Sequence, residues 1–287
     1  MDLFQEKFNK KNTKILIIVF ICLFVLDIFL WFDILKENEK LEMDFLNVGQ
    51  GDAMLIKFPF SGEILIDSGN GQQIKTALSS VKNYFNRRID VWILSHANLD
   101  HYGGFLKLIE TNPPQIFIYN GFDSKGETFL LLKKLLKEKN IPIITLYQGD
   151  KIKIGDSYFS VLWPPKNEEI KDLNDSSLIL RLVDKKHSAL FLGDASIKIS
   201  DNLINQQSEI LKVSHHGSKT ATNEEIISLI KPSIALIGVG LNNSFHHPHN
   251  EVINLLKKFD IKIFRTDLNG TIKIIFDDKI LIKETNK

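Results

Sequence analysis

Ser95-His96-Ala97-Asn98-Leu99-Asp100-His101-Tyr102-Gly103-Gly104 places four side chains able to ligate a metal within six residues, directly after the apolar run 91–94. Three tight clusters hold seven of the eight histidines: His96 with His101, His215 with His216, and His246 with His247 and His249; only His187 stands apart. Scattered surface histidines would not group this way. Imidazole clustered with carboxylate is the ligand set of a borderline divalent cation such as zinc or manganese.

Metal-assisted hydrolysis needs a Lewis acid with an open position and a bound water whose pKa falls to roughly 7, and it often uses a second ion about 4 Å away. Holding two ions takes about seven or eight imidazole and carboxylate groups. The candidates follow short apolar runs: His96, Asn98, Asp100 and His101 after one, Asp194 after 189–193, and His215 and His216 after 211–214. In a tight loop His96, Asn98 and Asp100 project alternately toward one ion, and His101 faces a neighbouring one. Gly103-Gly104 allows a sharp turn into the following helix. Gly193-Asp194 also has the form of a common turn; beside the histidine cluster, Asp194 becomes a candidate bridging carboxylate. His247 and His249, with His246 and Asn243 nearby, precede a helix and could ligate a metal, bind a substrate phosphate or cap the helix. Asp67 either orients a ligand histidine from behind or forms a turn with Ser68-Gly69.

The apolar segment 15–32 is eighteen residues long and carries one charge, Asp27, so it is long enough to cross most of a bilayer as a helix. No small-x-small cleavage pattern follows it, which favours a retained anchor over a signal peptide. Lys7, Lys10, Lys11 and Lys14 precede it, which sets the N-terminus inside and residues 36–287 outside. The partition is therefore a stub and anchor over 1–35 and one catalytic domain over 36–287. Acidic and basic residues balance within 1–35, leaving the formal +1 to the remainder, and nothing in that balance demands a polyanionic partner. The single cysteine, Cys22, lies in the apolar segment, so the outer domain has neither disulfide nor thiolate ligand.

Residues 42–287 alternate short apolar runs with amphipathic segments, the pattern of one α/β domain. Strands are expected over 42–48, 53–58, 63–67, 90–95, 115–119, 141–146, 158–163, 177–183, 189–192, 210–214, 233–239, 261–264 and 271–276. Helices are expected over 72–85, 104–110, 125–139, 223–230 and 250–259, where apolar residues recur at three- and four-residue spacing.

The His96 to Gly104 motif resembles the metallo-β-lactamase superfamily. More narrowly, Asn47-Val48-Gly49-Gln50-Gly51-Asp52-Ala53, Asp67-Ser68-Gly69, the His96 motif, Asn174 to Leu178, Leu192-Gly193-Asp194, Leu211 to Ser218 and His247-Pro248-His249 run in the order of the extracellular hydrolase domain of ComEC-type competence DNA-uptake proteins. The resemblance implies an αββα metallo-β-lactamase-like sandwich preceded here by one transmembrane helix, two divalent metal ions at the sheet edge, and phosphodiester cleavage of DNA. It makes His96, Asn98, Asp100, His101, Asp194, His215 and His216 the metal set, with Asp100 and Asp194 as the catalytic carboxylates. Ser218, Asn243, His247 and His249 fall at the substrate, and Asp67 behind the ligands. Two departures stand out. Asn98 replaces the family's usual aspartate, and a single helix precedes the domain where ComEC proteins carry a multi-helix channel region, which suggests a separate channel partner.

The expected activity is a membrane-anchored, extracytoplasmic phosphodiesterase, with DNA the first substrate. One alternative is hydrolysis of a small or wall-bound phosphoester, which near-neutral charge suits, since sequence-independent DNA binding normally spends several Lys or Arg on phosphates. Another is a degenerate domain that binds nucleic acid or a channel without cleaving it, for which Asn98 is the motive.

Overall fold

The computed structural model describes residues 2–37, 40–60, 62–82, 88–198 and 205–285. It falls into two units that divide at residue 40. The first is one helix, α1 (Asp2–Glu37), whose stretch Asn12–Trp31 has a mean hydropathy of 2.7 with none of it buried. At 1.5 Å per residue those 20 residues reach about 30 Å, the thickness of a bilayer's hydrocarbon core. By length and composition the helix can span a membrane.

The second unit is a two-sheet sandwich with helices on both outer faces. One sheet contains β1 (Leu41–Phe45), β2 (Met54–Phe58), β3 (Gly62–Ile66), β4 (Val91–Ile93), β5 (Ile116–Tyr119), β6 (Ile143–Thr145), β14 (Thr271–Phe276) and β15 (Ile280–Thr285), in the order β15-β14-β1-β2-β3-β4-β5-β6. The other contains β7 (Lys151–Ile154), β8 (Ser157–Trp163), β9 (Ile179–Asp184), β10 (His187–Phe191), β11 (Ile210–Lys212), β12 (Ile234–Ile237) and β13 (Lys262–Arg265), ordered β13-β12-β11-β10-β9-β8-β7.

Strand alternation builds the layers. Met43, Phe45, Met54, Ile56, Ile64 and Ile66 face the second sheet and meet Phe159, Leu180, Leu182 and Phe191 there, while Leu55 and Leu65, one residue out of phase, face the helices. On that outer face lie α2 (Ile74–Val81), α3 (Leu99–Leu108) and α4 (Glu127–Glu138). The α4 side chains Phe129, Leu132 and Leu136 are fully buried at helical spacing, and Trp92 stacks on Phe105 of α3 at 4.6 Å. On the opposite face α5 (Glu224–Ile230) and α6 (Asn250–Lys258) bury Ile226, Ile227, Ile230, Val252 and Leu256 against Leu190, Leu211 and Ala235. A short α7 (Thr266–Asn269) follows β13.

Several elements differ from the sequence expectation. The helix expected from residue 104 starts at Leu99, inside the motif, with Asn98 extended at φ −99°, ψ 146° and Asp100 in the first turn, where a carboxylate complements the helix dipole. The strand expected over 210–214 ends at Lys212 and passes into a 3-10 turn, Ser214–Gly217. Of the helix expected over 72–85, α2 covers Ile74–Val81, and 83–85 lie outside the described residues. The strands β7 and β15 were not expected, because Lys-Ile-Lys-Ile and Ile-Leu-Ile-Lys-Glu-Thr are short and charged; both lie at sheet edges, where such residues discourage further pairing.

The run β3-β4-β5-β6 is parallel, as is β10-β11-β12-β13. The loops after β3, β4, β10, β11 and β12 are the ones that carry the chemistry, consistent with sites forming beyond the carboxyl ends of parallel strands.

Candidate metal centre

Asp67, just past β3, has φ +55° and holds that conformation through three contacts: its carboxylate accepts from Ser95 N at 2.8 Å and Ser95 Oγ at 2.7 Å, and it meets His101 Nδ1 at 2.8 Å. The loop after β4 delivers His96, and the first turn of α3 delivers Asp100 and His101. Gly103 and Gly104 lie within that helix and do not form a turn into it. A Cβ on either would collide with the backbone of Asn70 or Ser68, so they let α3 press against the loop after β3. After β10, Asp194 is fixed by Ser177 Oγ, which accepts from its N–H at 2.9 Å. The 3-10 turn after β11 holds His215 and His216 at φ +48° and +54°, with His216 Nδ1 bonded to the Gly238 carbonyl at 2.8 Å.

Four imidazoles converge on one carboxylate oxygen. Asp194 Oδ2 lies 3.3 Å from His101 Nε2, 3.5 Å from His216 Nε2, 3.9 Å from His215 Nε2 and 4.0 Å from His96 Nε2. Asp100 Oδ2 lies 3.3 Å from His216 Nε2. The Nε2 atoms of His96, His101 and His216 are buried with no hydrogen-bond partner, a cost that a metal ion in the cluster would remove. This donor set fits a divalent cation. Burial pushes the His96 imidazole down to about 3, with the charge on His101 adding to the effect. For His216 burial acts the same way but is outweighed by Asp194 and Asp52, which hold it up at about 10, and Asp194, Asp67 and Asp100 likewise hold His101 well above its ordinary value.

Two further residues belong to the cluster and were not singled out from sequence. Asp52, from the loop between β1 and β2, is fully buried and pairs with Lys212 of β11, itself 1% exposed. Lys212 Nζ donates to the Gly193 carbonyl at 2.7 Å and lies 3.4 Å from Asp194 Oδ1. Burial opposes its charge, but Asp52 and Asp194 keep the ammonium protonated. Lys212 follows Ile210 on the inter-sheet face of its strand, so the strand's last inward position carries the charge to the site. Asn98 does not point at the histidines through an unpartnered group: its Nδ2 donates to Asn174 Oδ1 at 2.6 Å.

The family model of the metallo-beta-lactamase superfamily matches residues 46–240, spanning every histidine and carboxylate of this cluster. The chain belongs to the metallo-beta-lactamase superfamily. Among relatives it is 31% identical over 263 residues to ComE operon protein 3 of Bacillus subtilis, covering 83% of this chain and 33% of that protein. It is 29% identical over 250 residues to Recombination protein 2 of Haemophilus influenzae, covering 85% and 30%. Its similarity to Competence protein ComA of Neisseria gonorrhoeae is 28% over 243 residues, covering 83% and 32%. The chain thus spans about a third of the length of these relatives. Solved structures share the fold at low identity. Tm1679, titled a metal-dependent hydrolase of the beta-lactamase superfamily, superposes with a TM-score of 0.53 at 13% identity over 86% of this chain and all of that one. The Bacillus subtilis fold protein YhfI gives 0.52 at 13% over 78% and 95%.

Within this metallo-beta-lactamase domain the remaining expected residues lie at the rim. The His247 ring is 5.5 Å from His215 and 4.9 Å from His249, and Phe245 stacks on it at 5.9 Å. His249 Nδ1 accepts from Lys219 N at 3.3 Å. Asn243, expected at the substrate, clasps its own loop: its Nδ2 donates to the carbonyls of Gly240 and His247, and its Oδ1 accepts from His247 N. Ser218 Oγ is paired with Thr220 Oγ1 at 2.9 Å within the turn. Both residues shape the rim through backbone and neighbours, which local sequence does not reveal.

Proposed function

We propose that this domain is a metal-dependent phosphodiesterase that cleaves DNA outside the cytoplasmic membrane, held there by α1. The observation that carries the hydrolytic part is the convergence of four imidazole Nε2 atoms on Asp194 Oδ2, three of them buried and unpartnered. His96, Asp100, His101, Asp194, His215 and His216 would hold zinc or manganese. A divalent ion bound there supplies a Lewis acid for the phosphoryl oxygen and lowers the pKa of a water to about 7. Around it the chain's own groups act by position. Asp67 fixes the His101 ring by contacting Nδ1, and the Gly238 carbonyl does the same for His216, so each presents Nε2 to the centre. His247 and His249, beside His215, would hold a phosphodiester by hydrogen bonding.

The competence relatives support DNA as substrate, and the lysine excess on the N-terminal side of the apolar segment 15–32 supports an external domain. Near-neutral charge supports the rival reading, a small or wall-bound phosphoester. The test is hydrolysis of single- and double-stranded DNA and of a small aryl phosphodiester by the full chain in detergent with zinc or manganese, together with protease accessibility in whole cells. Asp194→Asn is expected to abolish turnover with the fold intact; unchanged turnover sinks the assignment. DNA cleavage that falls steeply with salt supports nucleic acid, whereas turnover of the small ester alone moves the substrate to the rival.

A further inference from the structure

The donors around Asp194 are unequal on its two sides. On one side His101 Nε2 and His216 Nε2 lie 3.3 and 3.5 Å from Asp194 Oδ2, the donor atoms of these three and of Asp52 all lie within 4.8 Å of one another, and His216 Nε2 is also 3.3 Å from Asp100 Oδ2. Both rings are oriented from behind, His101 by Asp67 and His216 by the Gly238 carbonyl. Two carboxylates there balance the charge of one divalent ion.

Among the described residues, His96 and His215 meet no carboxylate within 4 Å other than that of Asp194. They lie 4.0 and 3.9 Å from the shared Asp194 Oδ2, and two residues after His96 in the motif stands Asn98, a neutral amide bonded to a second neutral amide, Asn174. The remaining Asp194 oxygen, Oδ1, lies 3.4 Å from the Nζ of Lys212, a buried lysine also paired with Asp52. An ion on this side would have to share one oxygen of one carboxylate whose other oxygen faces an ammonium group. Its charge would lie uncompensated in a buried place, beside both a first ion and a lysine.

We propose that this chain holds one divalent ion tightly, at Asp100, His101, Asp194 and His216, and that the His96, Asn98 and His215 side takes a second ion only when metal is in excess. The inference rests on the metal-dependent reading above. Asn98, with its partner Asn174, sets the asymmetry. Restoring a carboxylate at position 98 supplies the missing charge and breaks the amide pair.

The test is metal content of the full chain in detergent after gel filtration through metal-free buffer, with manganese EPR as the second readout. The wild type is expected to retain about one ion per chain and to give the signal of an isolated manganese ion. Asn98→Asp is expected to retain about two, with the signal of a coupled pair, and His96→Ala to retain one. Two retained ions in the wild type overturn the proposal, and so does Asn98→Asp that remains at one with native circular dichroism. No retained ion in any folded variant instead brings down the metal-dependent reading itself, so the two failures are distinct.

Discussion

Asp44 shows at the scale of one residue what burial without full compensation does. It is fully buried on the helix-facing side of β1, among Glu42, Lys57 and Lys273; Lys57 Nζ donates to its Oδ2 at 2.7 Å, while Oδ1 has no hydrogen-bond partner. Burial raises its pKa to about 6 despite Lys57. The folded state therefore binds this proton more tightly than the unfolded chain, where a carboxylate titrates near 4. Stability from Asp44 is fully present below that lower value and is lost as pH rises through about 6. Chemical denaturation is expected to show the wild type gaining stability, on the order of 2 kcal/mol, between pH 7 and pH 4 relative to Asp44→Asn. Equal pH profiles would exclude it. Residues of this kind mark the limit of what a sequence tells. The histidines of the centre were legible because their side-chain type and clustering name their chemistry. Lys212 and Asp52 were not, since nothing local distinguishes a lysine buried at a strand's end from one that reaches water, and their pairing joins segments 160 residues apart in the chain.

At the scale of the element, α3 is both wall and ligand carrier. Its Phe105 packs on Trp92 in the outer core while its first turn presents Asp100 and His101 to the centre, so any shift of the helix moves ligands. The closest approach is made at Gly104, where a Cβ would strike the Ser68 carbonyl and side chain, and Ser68 Oγ in turn accepts from Phe105 N at 3.0 Å. Gly104→Ala is expected to lower stability by about 1 to 3 kcal/mol, the range of overpacked cores, and to weaken metal retention together with it. Calorimetry and metal content would show this, and a variant with native stability and full metal would refute it. Periodicity revealed α4 and α6 well because their apolar stripes are long. The start of α3 was hidden, because residues 98–101 read as ligands in a loop and the glycines read as a helix start, whereas they mark contact with a neighbouring loop. The pairing of Asn98 with Asn174 was equally hidden, because it bridges two loops 76 residues apart.

At the scale of the molecule, the alternation of strands and helices pointed to one α/β domain, the family resemblance carried by the motif order implied the αββα sandwich, and the family match agrees with it. The charged edge strands escaped because their patterns are short and polar. The centre draws on both sheets: Asp67, His96, Asp100 and His101 come from the side of β3 and β4, and Asp194, His215 and His216 from the side of β10 and β11. A bound ion therefore ties one end of the sandwich together. Removing it with a chelator is expected to lower the melting temperature and to speed amide exchange first at Asp194, in the turn Ser214–Gly217 and in α3, with the far ends of the strands unaffected; uniform exchange would contradict this. Neither sheet alone carries more than a partial coordination sphere. An ion would be held only when the segments around 96–101 and 194–216 have come together, so metal retention would report that the two sheets have docked.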